Sequence, residues 1–273
     1  MKYTDELKTI DTQEKAYLLG FLYGDGTITT YTEKTGRIRF LTKISISIND
    51  KDLIFRLKKH FPFFNLGMFD YSKYNEKCTK QISIAKSSKE LYYDLLANGV
   101  YPRKSYENAS KLKIPNIEST LIPHFIRGFF DADGSVYVRS KRPNLITIEF
   151  CSVSKELLTE INLYLKKHNI NSWKIQSKKH ENNNWQTLYQ LIYIKTSEIL
   201  KLIDFMYFNA NISLKRKAEK CLNYKPVNKV LDRNIKCSIC KSNHVSKNGI
   251  RGNSIRYQCQ NCGKGFSIKK DFK

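Results

Sequence analysis

The sequence lacks any long apolar run and contains few acidic residues for its length. Its 273 residues include no stretch close to the roughly 18 apolar residues that a membrane span requires. The polar, acid-containing N-terminus also does not match a secretory signal. We therefore expect no membrane partner. We expect the protein to stay in a reducing compartment such as the cytoplasm, as a nucleoid-associated or phage-encoded protein would, although an organelle is not excluded. In such a compartment, seven cysteines indicate metal ligands or buried thiols rather than disulfides.

The shortage of acidic residues leaves a large positive charge. Against 48 lysines and arginines there are only 25 aspartates and glutamates, which gives a formal net charge of +23 at pH 7. Such an excess requires an anionic partner, because otherwise its self-repulsion opposes folding. Nucleic acid is the usual partner of a chain this basic, and a membrane surface is the next candidate.

Three landmarks occur twice along the chain, in the same order and at nearly the same spacing. The segment AYLLGFLYGDG (16–26) resembles HFIRGFFDADG (124–134), so that Asp25 and Asp133 are 108 residues apart. Two further pairs follow at spacings of about 110, namely 82–96 with 192–206 and Lys104 with Lys215. This conserved order predicts two copies of one structural unit.

Each copy is expected to begin with a helix, at about 12–24 and 122–132, and to continue with strands. In RIRFLTKISISI (37–48), one side of the strand is apolar and the other is mostly polar or basic, which is typical of a half-buried strand. From these patterns we place four regions along the chain: a first repeat at 1–110, a second at 111–222, a linker at 223–236 and a cysteine-rich module at 237–273.

The paired segments LLGFLYGDG (18–26) and IRGFFDADG (126–134) resemble two copies of the LAGLIDADG motif of homing endonucleases. The second copy is close to the family pattern, whereas the first departs at Tyr23 and Gly24, where Asp and Ala are common. The resemblance covers roughly residues 12–222. It implies an α+β fold of two pseudo-symmetric αββαββα repeats, with saddle-shaped, DNA-binding antiparallel sheets around a central helix pair.

The physical chemistry of the motif supports such a helix pair. Small residues stand four apart on each helix, at Gly20 and Gly24 and at Gly128 and Ala132. Small residues on one helix face let two backbones approach closely. The C-terminal ends would then lie together, which would bring Asp25 close to Asp133. Two carboxylates at negative helix ends repel each other, and a divalent cation such as Mg²⁺ relieves that repulsion.

The resemblance implies an Mg²⁺-dependent endodeoxyribonuclease that cuts both strands of a long, non-palindromic DNA duplex, as in intron homing. Asp25 and Asp133 would hold the metal together with the backbone carbonyls of Gly24 and Ala132. Lys104 and Lys215 are the candidates for fixed cations near the reacting phosphates, with solvated or phosphate-contacting lysines as the alternative. We interpret Asp131 as structural. Both repeats lie in one chain, so a monomer is expected.

The strand faces supply candidates for DNA contact. Strands can enter the major groove and contact base edges, although some basic residues contact only phosphate. The candidates from the two repeats are Arg37, Arg39, Lys43 and Arg139.

The C-terminal region carries two Cys-x2-Cys pairs separated by 18 residues. Four thiolates at this spacing are typical of a closed, structural Zn²⁺ site, and the region resembles a zinc ribbon. The predicted ligands are Cys237, Cys240, Cys259 and Cys262. Asn248-Gly249 between the pairs suits a tight hairpin. Arg251 and Arg256 make DNA contact the functional expectation, with a stabilising tail or a protein contact as the alternative.

Two rival functions share the same fold. An intron maturase would bind intron RNA, and a DNA-binding regulator would have lost catalysis. Two retained aspartates favour cleavage over both, because binding alone requires no metal carboxylates. The tail taken alone would also suit a zinc-dependent transposition protein, but that reading leaves the repeats unexplained.

Overall fold

The computed structural model describes residues 2–70, 80–140, 142–178, 186–225 and 235–269, without the side chains of 142–144. The chain separates into two compact units, Met1–Tyr224 and Lys225–Lys273. Across the described ranges, no helix has the length and apolar character needed to cross a membrane.

The first unit contains two successive αββαββα arrangements. The elements of the first are α1 (Gln13–Gly24), β1 (Gly26–Thr32), β2 (Ile38–Ser47), α2 (Lys51–His60), β3 (Asn65–Asp70), β4 (Lys80–Ser87) and α3 (Lys89–Ala97). Those of the second are α4 (Ile122–Asp133), β5 (Gly134–Arg139), β6 (Arg142–Ser152), α5 (Lys155–Lys167), β7 (Lys174–Lys178), β8 (Leu188–Tyr193) and α6 (Thr196–Tyr207), followed by α7 (Lys215–Leu222). The two antiparallel sheets have the same strand order, β1-β2-β4-β3 and β5-β6-β8-β7. This confirms the predicted fold class.

Local sequence signals account for where several helices begin and end. The hydroxyls of Thr12, Ser88 and Ser154 each accept the backbone N–H of the residue three positions later, and so cap α1, α3 and α5. Pro123 lies in the first turn of α4, where no N–H donor is needed. Gly99 follows α3 with φ = 83°, a left-handed conformation that favours glycine.

Each sheet covers the helices with one face and leaves the other open. Ile44 pairs with Ile84 in the first sheet and Phe150 with Leu191 in the second, and all four are buried. The predicted alternation in β2 therefore holds at its centre. At the start of β2 the alternation no longer matches burial, since Ile38, on the apolar side of the pattern, is 57% exposed.

The centre of the unit is the contact between α1 and α4, which pack backbone against backbone. A Cβ atom at Gly20 would overlap the carbonyl oxygen of Phe125, and one at Gly128 would overlap that of Tyr17. The added atoms would also lie 2.8 and 2.9 Å from backbone nitrogens of the facing helix. Only glycine fits at these two positions, which is the close approach that the small-residue spacing predicts.

The second unit is a three-stranded antiparallel sheet in the order β11-β10-β9, formed by β9 (Val245–Arg251), β10 (Ser254–Cys259) and β11 (Gly265–Lys269). The prediction of a tight hairpin at Asn248-Gly249 is wrong. The β9–β10 turn contains Gly252, because Arg251 pairs with Ser254. Asn248-Gly249 instead forms a β-bulge within β9, where φ of Gly249 is 93°.

The glycine contact leads to a stability prediction. In a helix interior, Gly→Ala normally stabilises by roughly 0.5–1 kcal/mol. At Gly20 the added methyl overlaps a fixed backbone, so we expect Gly20→Ala to lower the free energy of unfolding by about 2–4 kcal/mol in urea denaturation. Gly67→Ala is the matched control, because the added Cβ would meet only the Ser83 hydroxyl, at 3.0 Å. We expect it to change stability by less than about 0.5 kcal/mol. Equal effects of the two substitutions would contradict the packing argument.

Candidate active site and cysteine centre

The helix pair places its two terminal aspartates together. Asp25 is the C-cap of α1, where its N–H donates to the carbonyl of Phe21 (3.0 Å), and Asp133 is the last residue of α4. A Cβ at Gly24 would lie 3.1 Å from Cγ of Asp133, so the end of α1 touches the carboxylate of α4. The structure therefore brings together the two side chains that the repeated motif singled out.

The electrostatics of this pair are unfavourable without a cation. Burial, assisted by repulsion from Asp25, raises the pKa of Asp133 to about 7. Desolvation also raises the pKa of Asp25, although this side chain is the more exposed of the two, and nearby Lys217 and Lys104 act in the opposite direction. Two carboxylates at the negative ends of adjacent helices form a hard, anionic oxygen donor set, which fits a divalent cation such as Mg²⁺.

Lys104 reaches this carboxylate pair from the first repeat. Its Nζ donates to the backbone carbonyl of Gly26, the residue after Asp25. Burial lowers the pKa of this amine, while the charges of Asp133 and Asp25 raise it. The predicted lysine of the first repeat therefore lies within electrostatic range of both carboxylates.

The structure does not place Lys215, the predicted second cation, beside the carboxylate pair. Its side chain is 65% exposed and its Nζ is 4.0 Å from Glu219 on the same helix. Lys217, two residues later, is the lysine that faces the site. It is 4% exposed, and burial lowers the pKa of its amine to about 8, while Asp131, Asp25 and Asp133 raise it.

The chain held a signal for Lys217 that the repeat alignment missed. Arg103-Lys104 is followed by a small residue, and so is Arg216-Lys217. Alignment on this dipeptide would have selected Lys217, whereas the predicted spacing selected Lys215. The two positions differ by two residues, which on this helix separates the exposed Lys215 from the buried Lys217.

Lys217 closes the C-terminal end of α4. Its Nζ donates to the backbone carbonyls of Phe130 (2.9 Å), Asp131 (2.7 Å) and Ala132 (3.3 Å). The carbonyl of Ala132, a predicted metal ligand, thus already accepts a hydrogen bond from a lysine. The matching residue Gly24 has its backbone beside the carboxylate of Asp133.

The candidates for DNA contact differ in whether other groups of the protein already bind their charged side chains. Lys43 lies on the open face of β2, whereas Arg37 is exposed in the loop before β2 and not in the strand. Nε of Arg39 is 2.7 Å from the carboxylate of Glu33. Arg139 donates to Thr147 Oγ1 (3.1 Å) and to the carbonyls of Ile146 (3.0 Å) and Ile194. Internal partners therefore occupy two of the four predicted side chains.

A polar network on the open face of the second sheet was not predicted. Glu149 accepts hydrogen bonds from Ser135 Oγ (2.7 Å) and Gln190 Nε2 (3.3 Å), and Gln176 Nε2 donates to Gln190 Oε1 (2.8 Å). Glu149 pairs with Ser135 in β5 as Lys43 pairs with Thr27 in β1, so the two occupy matching positions. The sequence showed a polar strand here, but not that its members contact one another.

The four C-terminal cysteines converge as their spacing predicts. Their sulfur atoms all lie within 4.8 Å of one another, with Cys237 Sγ 3.8 Å from Cys262 Sγ and Cys240 Sγ 3.5 Å from Cys259 Sγ. Zn–S bonds of about 2.3 Å in a tetrahedron place the sulfurs roughly 3.8 Å apart. The four sulfurs therefore lie close enough together to hold one metal ion.

The two Cys-x2-Cys turns have the same backbone geometry. Lys241 and Gly263, which follow them, have φ of 60° and 71°, and their N–H groups each donate 3.0 Å to the carbonyl of the first cysteine of the turn. Backbone N–H donors lower the pKa of the Cys259 thiol to about 6, which favours the thiolate. Arg251, at the end of β9, and Arg256, in β10, are both exposed.

The three other cysteines were predicted to be ordinary thiols. Cys151 and Cys221 belong to the first unit, and Cys78 falls outside the described residues.

The raised pKa of Asp133 predicts a gain in stability on its removal. In the unfolded chain the carboxyl has a pKa near 3.8, so the folded state binds more protons than the unfolded state between about pH 4 and 7. The free energy of unfolding must therefore fall as pH rises through this window. In EDTA at pH 8, we expect Asp133→Asn to be more stable than wild type by roughly 1–2 kcal/mol, a value reduced for partial exposure.

Urea denaturation at pH 5 and pH 8 measures this effect. The gain should shrink at pH 5, and Mg²⁺ should reduce it at pH 8. The exposed Asp204→Asn is the control and should show neither change. A variant less stable than wild type at pH 8 would rule out the proposed repulsion.

Known proteins resemble this chain in both sequence and fold. The LAGLIDADG-like domain family matches residues 121–205. A probable translation initiation factor IF-2 of Methanocaldococcus jannaschii is 28% identical in an alignment of 229 positions, which covers 80% of this chain and 17% of that protein. Two uncharacterized proteins of the same organism are 29% and 26% identical. The chain spans less than two thirds of the length of each of these relatives, namely 17%, 51% and 64%.

Solved structures show the same architecture. Mesophilic variants of the homing endonuclease I-DmoI match with a TM-score of 0.52 at 17% sequence identity, over 77% of this chain and 97% of theirs. I-DmoI in complex with DNA and Ca matches with a TM-score of 0.51, at the same identity and coverage. Residues 121–205 therefore match the LAGLIDADG-like domain family, and the chain shares its fold with the homing endonuclease I-DmoI.

Proposed function

We propose that this chain is an Mg²⁺-dependent homing endonuclease that hydrolyses one phosphodiester bond in each strand of a long, non-palindromic DNA duplex. The convergence of Asp25 and Asp133 at the ends of two touching helices carries the proposal, since a bound cation would offset the repulsion that Asp25 exerts on Asp133. The fold shared with I-DmoI, which has been solved with DNA and Ca, supports it.

The residues of the site divide the work between holding metal and balancing charge. A bound divalent cation would acidify a water molecule and neutralise charge on the scissile phosphate. Asp25 and Asp133 would hold this cation, with the carbonyls of Gly24 and Ala132 as further oxygen donors. Lys104 and Lys217 are fixed cations beside the carboxylates, in a position to stabilise negative charge that develops on phosphate oxygens.

The open faces of the two sheets support recognition of a non-palindromic target. At matching positions the first sheet presents Lys43, a donor, and the second presents Glu149, an acceptor whose two oxygens also hold Ser135 and Gln190. Donors and acceptors recognise different base edges in the major groove. Two half-sites recognised by one chain would therefore differ in sequence, and one monomer would supply both cleavage centres.

The excess of basic residues would attract the duplex as a whole. A formal charge of +23 suits DNA and intron RNA equally well. RNA binding alone gives no role to the carboxylate pair, so we propose cleavage of DNA.

We also propose that the cysteine module binds one structural Zn²⁺ and contacts DNA beyond the cleavage site. The four sulfurs supply a closed ligand set without an open position for catalysis. Exposed Arg251 and Arg256 give this small sheet positive charge. In this arrangement, residues 223–236 would connect a cutting unit to a second DNA-contacting unit.

A cleavage-site selection on a random or genomic duplex library tests the proposal. We expect double-strand cutting with Mg²⁺ and none with EDTA. Asp25→Asn and Asp133→Asn should each slow cutting by roughly 10³-fold, because each removes a metal ligand, and should leave DNA binding intact. The exposed Asp204→Asn should cut normally. Cutting that survives both Asp substitutions would remove the proposal, and RNA binding without DNA cutting would favour a maturase.

The lysines on α7 provide a matched pair for the same assay. Lys217→Met should slow cutting by roughly 10²-fold, because the fixed cation is lost from the carboxylate pair. Lys215→Met, two residues away and exposed, should change the rate by less than about twofold. The reverse order of effects would restore the prediction made from the sequence.

Metal analysis tests the cysteine centre independently. We expect about one zinc ion per purified chain, because the four thiolates fill a tetrahedral site. Cys259→Ser should lose this zinc, whereas Cys151→Ser, which changes a thiol of the first unit, should retain it. Zinc-free wild-type protein with folded β9–β11 would argue against a structural metal.

A further inference from the structure

Asp131 is a buried carboxylate that the proposed chemistry does not use. It is 1% exposed, and its Oδ2 accepts hydrogen bonds from the hydroxyl of Tyr17 (2.8 Å) and the backbone N–H of Leu214 (2.6 Å). The hydroxyl of Tyr207 lies 3.4 Å from Oδ1. Its partners therefore come from α1, from α6 and from the residue immediately before α7.

The bond to Leu214 fixes the start of α7. Leu214 is the N-cap of this helix and has no side chain that could cap it. The first N–H groups of a helix require outside partners, and a negative charge is favourable at that end. Asp131, on α4, supplies both the hydrogen-bond acceptor and the negative charge. It binds Leu214, which lies three residues before Lys217.

Lys217, on α7, in turn binds the C-terminal end of α4. Its ammonium group donates to the last carbonyls of α4, at residues 130–132, which form the negative end of that helix. The carboxylate of α4 thus holds the beginning of α7, and the lysine of α7 holds the end of α4. We call the set of Asp131, Leu214 and Lys217 the α4–α7 brace.

The first repeat is built without this brace. Tyr23 occupies the position in α1 that Asp131 occupies in α4, and its hydroxyl donates to the carbonyl of Asn98 (3.0 Å). Lys104 donates instead to the carbonyl of Gly26. The two lysines are therefore held beside the carboxylate pair by different contacts. Only Lys217 lies on a helix whose start is bound by a buried acid, Asp131.

We propose that Asp131 is a positioning residue for Lys217, and that through it Asp131 controls the cleavage of one DNA strand and not the other. The inference rests on the proposed function, because it requires two cleavage centres. A displacement of about 1 Å in a catalytic group can slow a reaction by roughly 10²-fold. The loss of the brace should therefore affect the centre that depends on Lys217 and spare the centre that depends on Lys104.

The experiment uses the full-length protein and a selected target duplex with a different fluorophore on each strand. Single-turnover nicking is followed on both strands at once. Lys217→Met identifies the strand that depends on Lys217, and Lys104→Met identifies the other. Asp131→Leu, of similar size, should then slow the Lys217 strand by roughly 30- to 100-fold, so that singly nicked duplex accumulates, and should slow the other strand by less than about threefold.

Three further variants separate positioning from damage to the core. Asp131→Asn keeps an oxygen that can accept from Leu214, so it should restore the Lys217 strand to within about fivefold of wild type. Asp131→Ser, whose hydroxyl ends one bond short of the carboxylate oxygens, serves if the leucine variant does not fold, and should resemble it. Tyr17→Phe removes another donor from the same oxygen without touching α7, and should leave the ratio of the two strand rates unchanged.

The outcomes separate this inference from the function on which it rests. Equal slowing of both strands by Asp131→Leu or Asp131→Ser would overturn the brace as a strand-specific device, although the enzyme would remain an endonuclease. The same holds if Lys217→Met itself shows no strand preference. A wild-type protein that cuts neither strand of any selected duplex would remove the proposed function, and the inference with it.

Discussion

Backbone contact between two helices is the constraint on which the first unit depends. At Gly20 and Gly128 each helix uses the absence of a side chain to bring its partner within van der Waals distance. This contact sets the two sheets on either side and aligns the helix ends. It also forces two carboxylates into one place that helix dipoles already make negative. Burial and repulsion from Asp25 raise the pKa of Asp133, and the proposed cation would relieve that repulsion.

The two lysines beside the carboxylate pair lie outside α1 and α4, and different contacts hold them in place. Lys104 comes from the segment after α3 and contacts the backbone just beyond Asp25. Lys217 comes from a helix whose start is itself held by a buried acid. A repeated fold has thus been completed by two different sets of contacts. Fold symmetry in such a chain does not imply equal surroundings for its two buried lysines.

The sequence predicted those features that depend on local pattern. Small residues four apart predicted the helix contact, period-two alternation predicted β2, and paired cysteines predicted the sulfur cluster. Features that depend on tertiary contacts were not accessible. The burial of Lys217 follows from where α7 packs, although the Arg-Lys pair that it shares with Arg103-Lys104 could have singled it out. The internal bonds of Arg139 follow from the pairing of β5 with β6. Asn248-Gly249 is compatible with both a turn and a bulge, and only strand register distinguishes them.

The contrast between Lys43 and Glu149 has a geometric consequence. If the duplex were turned end for end, each sheet would face the half-site that suits the other sheet. The amine of Lys43 would then face hydrogen-bond donors, and the carboxylate of Glu149 would face a phosphate or a carbonyl oxygen. Such mismatched contacts are costly, so the bound duplex would adopt one direction only. Under the proposed function, each DNA strand would then always meet the same lysine, and two unequal centres would cut the strands in a reproducible order.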